Sequence, residues 1–587
     1  MLKVQSNVRR SATSLNGIWN FKTTDADYLP TKKAENCVLM PVPASMNDVG
    51  TSAKIRDHVG KVLYETEFSV PICGGNEYRL RIGATSHKCE VFLNGAKIGG
   101  TDNAFMPIDI PLNDLKNKNR LSVIIDNRLD YHTLPVGRLV EGNGLYVCDR
   151  TGKHAIYGDP QNFQKEKQVI NHDFYNYTGI HRDVFVYSVP KKHIEDVVIE
   201  TVVGGDYEKV KVTLKGDATN ARFKVTDEEG KVVCESENGE LRISAPRLWN
   251  VKDPYLYTLA AETETDYYEE QFGIRKVSFD ETGLYVNDKK VYLKGFGMHE
   301  DFTILGKGNN SAVNVRDFEL LKWINANCFR TSHYPYAEEI MDLADKYGFL
   351  VINEVPAVGC NNWPDYTYGK DRLDDVTLAL HKNAMRLLVE RDKNHPSVVM
   401  YSVANEAATY EDNARTYFKE VIDYTRSLTS LPVTIVELTH FVEGNKVVDL
   451  VDFIGINRYY GWYDEIGNLD AVEPLLRAEL EAYADHFKKP IIMTEFGADT
   501  IEGLHSLPSV SFSEDYQKEL LAETCRVLDE LPFICGELVW NFADFMTKEG
   551  TIRVNGNRKG VFTRARQPKA AAYVLKERWE KKNSKED

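Results

Sequence analysis

The sequence predicts a multidomain α and β protein with β-rich N-terminal domains and a C-terminal (β/α)8 barrel, the TIM barrel. Three observations predict this fold class. The chain has 587 residues, which corresponds to about three to five domains, or fewer if one is a barrel. Its first half alternates polar and apolar residues with a period of two. From about Lys276 onward, strand-like segments alternate with helical patterns.

The N-terminal region has the pattern of antiparallel β-strands. In the segment EYRLRIG, the side chains of Tyr78, Leu80 and Ile82 face one way and the intervening arginines face the other. A second alternating segment ends at Asn94-Gly95, a dipeptide that strongly favours a hairpin turn. This pattern predicts a β-sheet domain over about the first third of the chain.

A second β-rich stretch follows. Val210 and Val212 alternate with lysines, and short strands continue for roughly 90 residues without a helical period, which suits an immunoglobulin-like β-sandwich. The resulting division of the chain is an N-terminal domain at 1–188, the immunoglobulin-like domain at 189–275 and the barrel at 276–587.

The barrel is predicted from eight strand-like segments, most of them separated by amphipathic helices. In one such helix, Ile340, Leu343 and Tyr347 lie on one face and Gly348 ends it. The eight segments are VYLKGFG, NCFRTSHYP, FLVINEVP, SVVMYSVANE, PVTIVEL, DFIGINRYYG, PIIMTEFG and ICGELVWNF. Eight βα units in about 310 residues indicate a TIM barrel.

Composition limits the partners. The formal net charge of −16 disfavours nucleic acid and anionic membranes, and no apolar run is long enough to span a bilayer. Nine scattered cysteines without a Cys-x-x-Cys pair predict reduced thiols and a cytoplasmic protein. We expect no metal ion and no cofactor, since no metal-ligand spacing or dinucleotide fingerprint is present.

Two carboxylates stand at predicted strand ends, where TIM barrels build their active sites. Glu406 ends the fourth strand and Glu495 ends the seventh. Paired carboxylates suit glycoside hydrolysis, in which one group protonates the departing oxygen and the other attacks the anomeric carbon or activates water. Two alternatives remain open: each glutamate pairs with a barrel arginine, or the protein binds carbohydrate without catalysis.

The same segments carry a resemblance to glycoside hydrolase family 2. DKNHPSVVMYSVANE (392–406) resembles the acid/base signature of that family, and MTEFG (493–497) resembles its nucleophile segment. The likeness covers nearly the whole chain and implies a jelly-roll sandwich, an immunoglobulin-like domain and a barrel. One departure is Tyr401, where many members carry tryptophan.

By this resemblance, Glu406 is the general acid/base, Glu495 is the nucleophile and Asn405 binds the 2-hydroxyl of the sugar. The family mechanism retains the anomeric configuration through a covalent glycosyl-enzyme. This implies carboxyl groups roughly 5–5.5 Å apart, against about 6.5–9.5 Å for inversion.

The segment TIRVNGNRKGVFTR (551–564) bears on the choice of sugar. It places Arg553, Arg558 and Lys559 together with no acid among them. Asn557-x-Lys559 is similar to the motif by which the β-glucuronidases of the family hold the substrate carboxylate. The resemblance therefore implies hydrolysis of small-molecule or oligosaccharide β-D-glucuronides. A β-galacturonidase, a β-galactosidase and a solvated basic loop remain alternatives.

Further roles are implied by the same resemblance. Asp173 is expected to contact a sugar hydroxyl, and Tyr459 to orient the nucleophile; a loop cap and aromatic packing are the alternatives. The remaining substrate-binding residues are His299, Tyr463, Trp540 and Arg553. Arg330, His333 and Glu354 are expected to lie behind the catalytic pair, and a purely structural role is the alternative.

The segment 359–375 is short, and some gut bacterial members of the family carry a longer loop there. The resemblance thus implies a member without that extended loop, in which Trp363, Tyr366 and Tyr368 stack on the leaving group or pin the loop. It also implies a homo-oligomer, a dimer or a tetramer.

Overall fold

A computed structural model describes the chain at residues 2–141, 145–148, 154–157, 166–204, 207–216, 220–362 and 365–586. Trp363 lies outside these residues. The fold class predicted from the sequence, with two β-rich regions followed by a barrel, is confirmed. The domain boundaries at 188/189 and 275/276 stay a prediction.

The N-terminal region is a sandwich of two antiparallel sheets. One has the strand order β3-β2-β4-β10-β7-β8 and the other β1-β16-β5-β9, and apolar side chains such as Trp19, Leu80 and Val91 fill the space between them. Its larger elements are β1 (Ser11–Ser14), β2 (Gly17–Thr23), β3 (Val38–Val42), α1 (Met46–Val49), α2 (Ala53–Arg56), β4 (Lys61–Phe68), β5 (Asn76–Ile82), β6 (Thr85–Ser86), β7 (Lys88–Leu93), β8 (Ala96–Thr101), β9 (Ile108–Pro111) and β10 (Asn119–Asp126). It continues through β11 (Gly137–Glu141), β12 (Leu145–Cys148), β13 (His154–Tyr157), β14 (Glu166–Ile170), β15 (Gly179–Ile180) and β16 (Val184–Pro190).

The second region is a smaller sandwich with the orders β17-β18-β21 and β20-β19-β22-β23. Its core is formed by inward-facing side chains such as those of Val197, Val212, Phe223 and Leu259. Each strand directs alternate side chains inward, as the period of two predicts. Its strands are β17 (Ile194–Val202), β18 (Tyr207–Gly216), β19 (Arg222–Thr226), β20 (Val232–Ser236), β21 (Glu240–Ser244), β22 (Tyr257–Glu262) and β23 (Tyr267–Phe272). A three-stranded sheet, β24 (Val277–Asp280), β25 (Gly283–Val286) and β26 (Lys289–Val291), leads into the barrel.

The C-terminal region is a closed parallel barrel formed by β27 to β34 in chain order. Its strands are buried on both faces, which explains their nearly continuous apolar sequences. The strands are β27 (Leu293–Gly297), β28 (Cys328–Arg330), β29 (Leu350–Glu354), β30 (Val398–Asn405), β31 (Val433–Glu437), β32 (Phe453–Asn457), β33 (Ile491–Glu495) and β34 (Ile534–Val539). The helices are α3 (Ser311–Trp323), α4 (Glu338–Tyr347), α5 (Asp375–Asp392), α6 (Asp412–Leu428), α7 (Val472–Phe487), α8 (Glu514–Asp529) and α9 (Ala570–Glu586).

The N-terminal sandwich packs on the barrel through buried charges and aromatic rings. Arg81 faces away from its own core, as its alternation predicts, yet it is buried because it pairs with Glu338 of α4. The ammonium of Lys307 lies 3.4 Å from the ring centroid of Tyr334 in the barrel and 5.0 Å from that of Phe174 in the sandwich. This cation–π arrangement fixes the segment that carries Asp173 over the barrel.

Two further findings concern the sequence-based expectations. The cysteines whose side chains the structure describes are free thiols, most of them buried. Over the described residues, the helices include none that combines the length and apolar character needed to cross a lipid bilayer.

Candidate active site

The ends of the barrel strands bring Glu406 and Glu495 to one buried site, joined by Arg330. The guanidinium of Arg330, at the end of β28, donates from Nη2 to Glu495 and from Nη1 to Asn405 Oδ1 at 3.2 Å. Asn405 is the last residue of β30 and directly precedes Glu406. Rigid strands therefore position both predicted catalytic carboxylates.

Glu495 is surrounded by donors that stabilise its ionised form. Tyr459 Oη donates to Oε2 at 2.6 Å, and Arg330 donates to Oε1. His333 Nε2 lies 3.8 Å from the same Oε1. The predicted contact between Tyr459 and the nucleophile is present in the geometry, and charge-assisted bonds of this kind are stronger than neutral ones.

Glu406 has a different environment. Its Oε1 accepts one hydrogen bond, at 2.9 Å, from the neutral amide of Asn457. Its backbone has a φ of 51°, in the left-handed region that non-glycine residues seldom adopt, and its N–H donates to Val436 O at 2.9 Å. Such backbone outliers cluster at functional sites, where the surrounding structure holds them.

Both carboxyls are harder to ionise than an ordinary glutamate, and the pKa of Glu495 rises to about 8. Burial raises the pKa of Glu406, and burial together with the charge of Glu406 raises the pKa of Glu495 against the opposing effect of Arg330. The cation and the phenol on Glu495 favour its anion, whereas Glu406 accepts only from an amide. These hydrogen bonds favour the proton on Glu406 when one of the two carboxyls is ionised.

Arg330, His333 and Glu354 form a hydrogen-bonded group next to Glu495, and their role behind a catalytic pair stays a prediction. Glu354 accepts from Arg330 at 2.8 Å, from His333 Nδ1 at 2.9 Å and from Ser402 Oγ at 2.7 Å. Burial raises the pKa of Glu354, but Arg330 and His333 outweigh it and hold that pKa below its ordinary value. Glu354 is thus a fixed anion that orients Arg330 toward the catalytic carboxyl.

The predicted uronate-binding residues meet at the rim of the same site. Tyr463 Oη accepts from Lys559 Nζ at 2.8 Å and from Arg553 Nη2 at 2.5 Å. Asn557 lies beside them, and its Oδ1 accepts the backbone N–H of Lys559 at 3.0 Å. The rings of Tyr459 and Tyr463 pack with centroids 4.9 Å apart. The cationic end of the site, formed by Lys559, Arg553, Asn557 and Tyr463, is therefore in contact with the catalytic end, which holds Glu495.

The prediction that three cations cluster is wrong for Arg558, which does not join Arg553 and Lys559. Arg558 turns away from Lys559, donates from Nε to Val554 O at 3.1 Å and pairs with Asp544 at 3.5 Å. The pattern of charges alone could not show this.

Two acids, Asp173 and Asp499, lie against the remaining cations, Arg553 and Lys559. Asp499 pairs with Lys559 and with Arg553 Nη1 at 3.1 Å, and it went unnoticed in the sequence. Its signal was its position, because an acid four residues beyond Glu495 falls on the active-site face of the barrel. Burial and the neighbouring Arg553 lower the pKa of Lys559 to about 8, with Asp499 opposing them.

His299 and Trp540 form an aromatic wall next to the catalytic carboxyls. Trp540 stacks on His333 with centroids 5.1 Å apart and meets His299 edge-on at 5.3 Å. Tyr334 Oη lies 3.0 Å from His299 Nδ1. Gly497, with a φ of 157°, allows Trp540 O to approach, since a Cβ there would lie 2.2 Å from that oxygen.

One group of metal-ligating side chains occurs in the described residues, and it lies outside this site. Ligand atoms of Asp342, Asp345 and His395 lie within 4.8 Å of one another. The ammonium of Lys3 already pairs with Asp342, and His395 Nδ1 bonds to Asp345 at 2.5 Å. These groups neutralise one another where the N-terminal segment meets α4.

A TIM barrel that holds two carboxyls in different hydrogen-bonding environments at its strand ends has the residues that a glycoside hydrolase needs. The model of the glycosyl hydrolases family 2 TIM barrel domain matches residues 277–583, and a second model, glycosyl hydrolases family 2, matches residues 178–275. The chain belongs to glycosyl hydrolases family 2.

Relatives of the whole chain agree with this assignment. A β-glucuronidase of Paenibacillus borealis is 42% identical over 99% of this chain and 98% of its own. The solved structure of the β-D-glucuronidase of Dictyoglomus thermophilum has a TM-score of 0.92 at 42% identity, covering 99% of both chains. A Ruminococcus gnavus β-glucuronidase, solved in complex with D-glucaro 1,5-lactone, has a TM-score of 0.89 at 38% identity, covering 98% of this chain and 99% of its own.

Proposed function

We propose that the protein hydrolyses β-D-glucuronosides and releases D-glucuronate and an aglycone with retention of configuration. The observation that carries this proposal is that Tyr459, which donates to Glu495, packs on Tyr463, the residue that accepts from Lys559 and Arg553. The names of the relatives, which are β-glucuronidases, support it.

In the first step, the Glu495 carboxylate attacks the anomeric carbon and forms a glycosyl ester. The bond from that carbon to the glycosidic oxygen breaks, and the oxygen takes the proton of Glu406 as the aglycone leaves. The local environments suit these roles, because Arg330 and Tyr459 stabilise the Glu495 anion until it attacks.

In the second step, the Glu406 carboxylate accepts a proton from water. The resulting hydroxide attacks the anomeric carbon, and the ester bond to Glu495 breaks. Two inversions give net retention, and Glu406 ends protonated and Glu495 ionised, as at the start. Water is the only other reactant.

The remaining predicted residues bind the sugar. Asn405 is assigned to the 2-hydroxyl, while His299 and Trp540 line the pocket wall. At the other end, Lys559 pairs with the substrate carboxylate, Asn557 donates an amide N–H, and Arg553 and Tyr463 border it. An ammonium and an amide supply charge and a directed donor, which a neutral sugar does not need.

The test is turnover of four p-nitrophenyl glycosides, the β-D-glucuronide, galacturonide, glucoside and galactoside. We expect the glucuronide to have the highest kcat/KM by at least about 100-fold over the glucoside, because a neutral sugar cannot form the charge-assisted contact with Lys559. Equal turnover of these two would contradict a uronate site. Proton NMR of the first-formed sugar tests retention, since retention gives the β-anomer first.

We also propose that the enzyme acts in the cytoplasm as a homo-oligomer, a dimer or a tetramer. Its acidic surface and buried free thiols support a reducing compartment. Cell fractionation tests the location, and light scattering of the purified chain tests the oligomeric state.

A further inference from the structure

The cationic end of the site already holds a carboxylate in the free protein. Asp173, from the segment between β14 and β15, accepts from Arg553 Nε at 3.0 Å and from Arg553 Nη2 at 2.6 Å. It also accepts from Asn557 Nδ2 at 2.9 Å. A guanidinium and an amide are the donors that a substrate carboxylate would use.

The charges in this cluster balance without a substrate. Arg553 and Lys559 contribute two positive charges, and Asp173 and Asp499 contribute two negative charges. A uronate that entered an unchanged cluster would add an uncompensated negative charge, which is costly in a largely buried site. One of the two aspartates therefore has to leave its partners when the substrate binds.

Burial and bonding single out Asp173 as the group that leaves. The Asp499 side chain is 3% exposed, and its Oδ1 also accepts the backbone N–H of Arg558 at 2.7 Å. The Asp173 side chain is 40% exposed and extends from the N-terminal sandwich rather than from a barrel strand. Asp499 is thus a fixed counter-ion, and Asp173 is an exchangeable one.

We propose that Asp173 is a specificity-determining residue that occupies the carboxylate site of the free enzyme and is displaced by the substrate carboxylate onto a sugar hydroxyl. This rests on the proposed function. A uronate replaces Asp173 at Arg553 and Asn557, and the released aspartate accepts a hydrogen bond from the sugar. A neutral sugar has no group that can replace Asp173 at Arg553 and Asn557. Such a sugar therefore lacks the ionic contact with the cations and also the hydrogen bond from its hydroxyl group to Asp173.

The experiment uses tetrahydropyran-2-carboxylate, a ring with a carboxylate and no hydroxyl groups, so that the hydroxyl contact of Asp173 has no influence. Its affinity for the full chain is measured by titration calorimetry. We expect Asp173→Asn to bind it about tenfold more tightly than the wild type, since one competing charge is removed from a partly exposed site. Asp485→Asn, which removes an exposed acid of α7, is the control and should bind like the wild type.

Binding by Asp173→Asn that is no tighter than by the wild type, including no detectable binding, overturns the proposal. Asp173→Ser provides a second variant if the first is poorly folded. Lys559→Ala separates this inference from the proposed function. If Lys559→Ala binds the probe as the wild type does, the uronate site itself is wrong; if it loses binding while Asp173→Asn gains none, only the exchange is wrong.

A crystal structure of the wild type with D-glucuronate gives an independent test. We expect the sugar carboxylate to accept from Asn557 Nδ2 and Asp173 to have moved to a hydroxyl group. Asp173 still bonded to Asn557 in that complex would overturn the exchange.

Discussion

The two ends of the site are built in different ways. The catalytic end stands on barrel strands, and Glu495 is held by Arg330 and Tyr459, both from strands or their immediate ends. The cationic end stands on the irregular segment after β34 and is completed by Asp173 from another region of the chain. Fixed strands suit bond breaking, which tolerates little displacement, and a loop shared between regions suits selection among sugars.

This comparison predicts that variants at the two ends affect the turnover of different sets of glycosides. A change at the catalytic end should reduce turnover of all glycosides alike. A change at the cationic end should act mainly on glucuronides.

The largest effect is expected for Glu495→Gln. The amide cannot attack the anomeric carbon, so kcat should fall by about 10⁴-fold or more for glucuronide and glucoside alike. Steady-state kinetics measures the loss, and the thermal unfolding midpoint checks that the variant is folded. Undiminished turnover would exclude Glu495 as the nucleophile.

Lys559→Ala should lower kcat/KM for the p-nitrophenyl glucuronide by about 100-fold, because it leaves the substrate carboxylate without its ammonium. The glucoside should change by less than about threefold. Arg558→Ala is the matched control, since this neighbouring cation turns toward Asp544 and should leave both substrates nearly unaffected. Equal losses on both substrates for Lys559→Ala would place the lysine in a structural role.

Tyr459→Phe should lower kcat by about 30-fold, the loss of one hydrogen bond to an ionised carboxylate. Because the phenol acts on Glu495, both glycosides should lose similarly, which places Tyr459 at the catalytic end of the site. A loss confined to the glucuronide would instead assign Tyr459 to substrate selection through its contact with Tyr463.

The smallest effect is expected from pH. The pKa of Lys559 lies at about 8, so its ammonium is present below that pH and is lost above it. Below about pH 7 the KM for glucuronide should be nearly constant, and between pH 7 and pH 9 it should rise by about tenfold as the cation is lost. Lys559→Arg stays charged and should show a flat KM over this interval; the same rise in that variant would assign it to another group.

Sequence patterns predicted most of the fold because the barrel strands are buried on both faces and each ends in polar residues. The helix around Ile340 and Leu343 and the alternation at Val210 and Val212 were equally informative, since a single face is buried in each case. These features depend on local periodicity, which the chain displays directly.

The arrangement at the cationic end was predicted less completely. Asp173 lies 380 positions from Arg553, and their pairing depends on how the sandwich docks, whereas Asp499 pairs with Arg553 within the barrel region. The pattern of charges does not distinguish Arg558, which turns away, from Lys559, which turns inward; only the resemblance of Asn557-x-Lys559 to a family motif singles out the lysine. Long-range contacts of this kind leave no periodic signal.

The bond between Asp173 and Arg553 also bears on the order in which contacts form during folding. These residues lie 380 positions apart in the chain, whereas Arg330 and Glu354 are separated by 24. Contacts between near neighbours form early in folding, and those that close the longest loops await the docking of separate regions. In a newly synthesised molecule, the bond between Asp173 and Arg553 would therefore form after the contacts within the barrel, including the contact between Arg330 and Glu495, which are 165 positions apart.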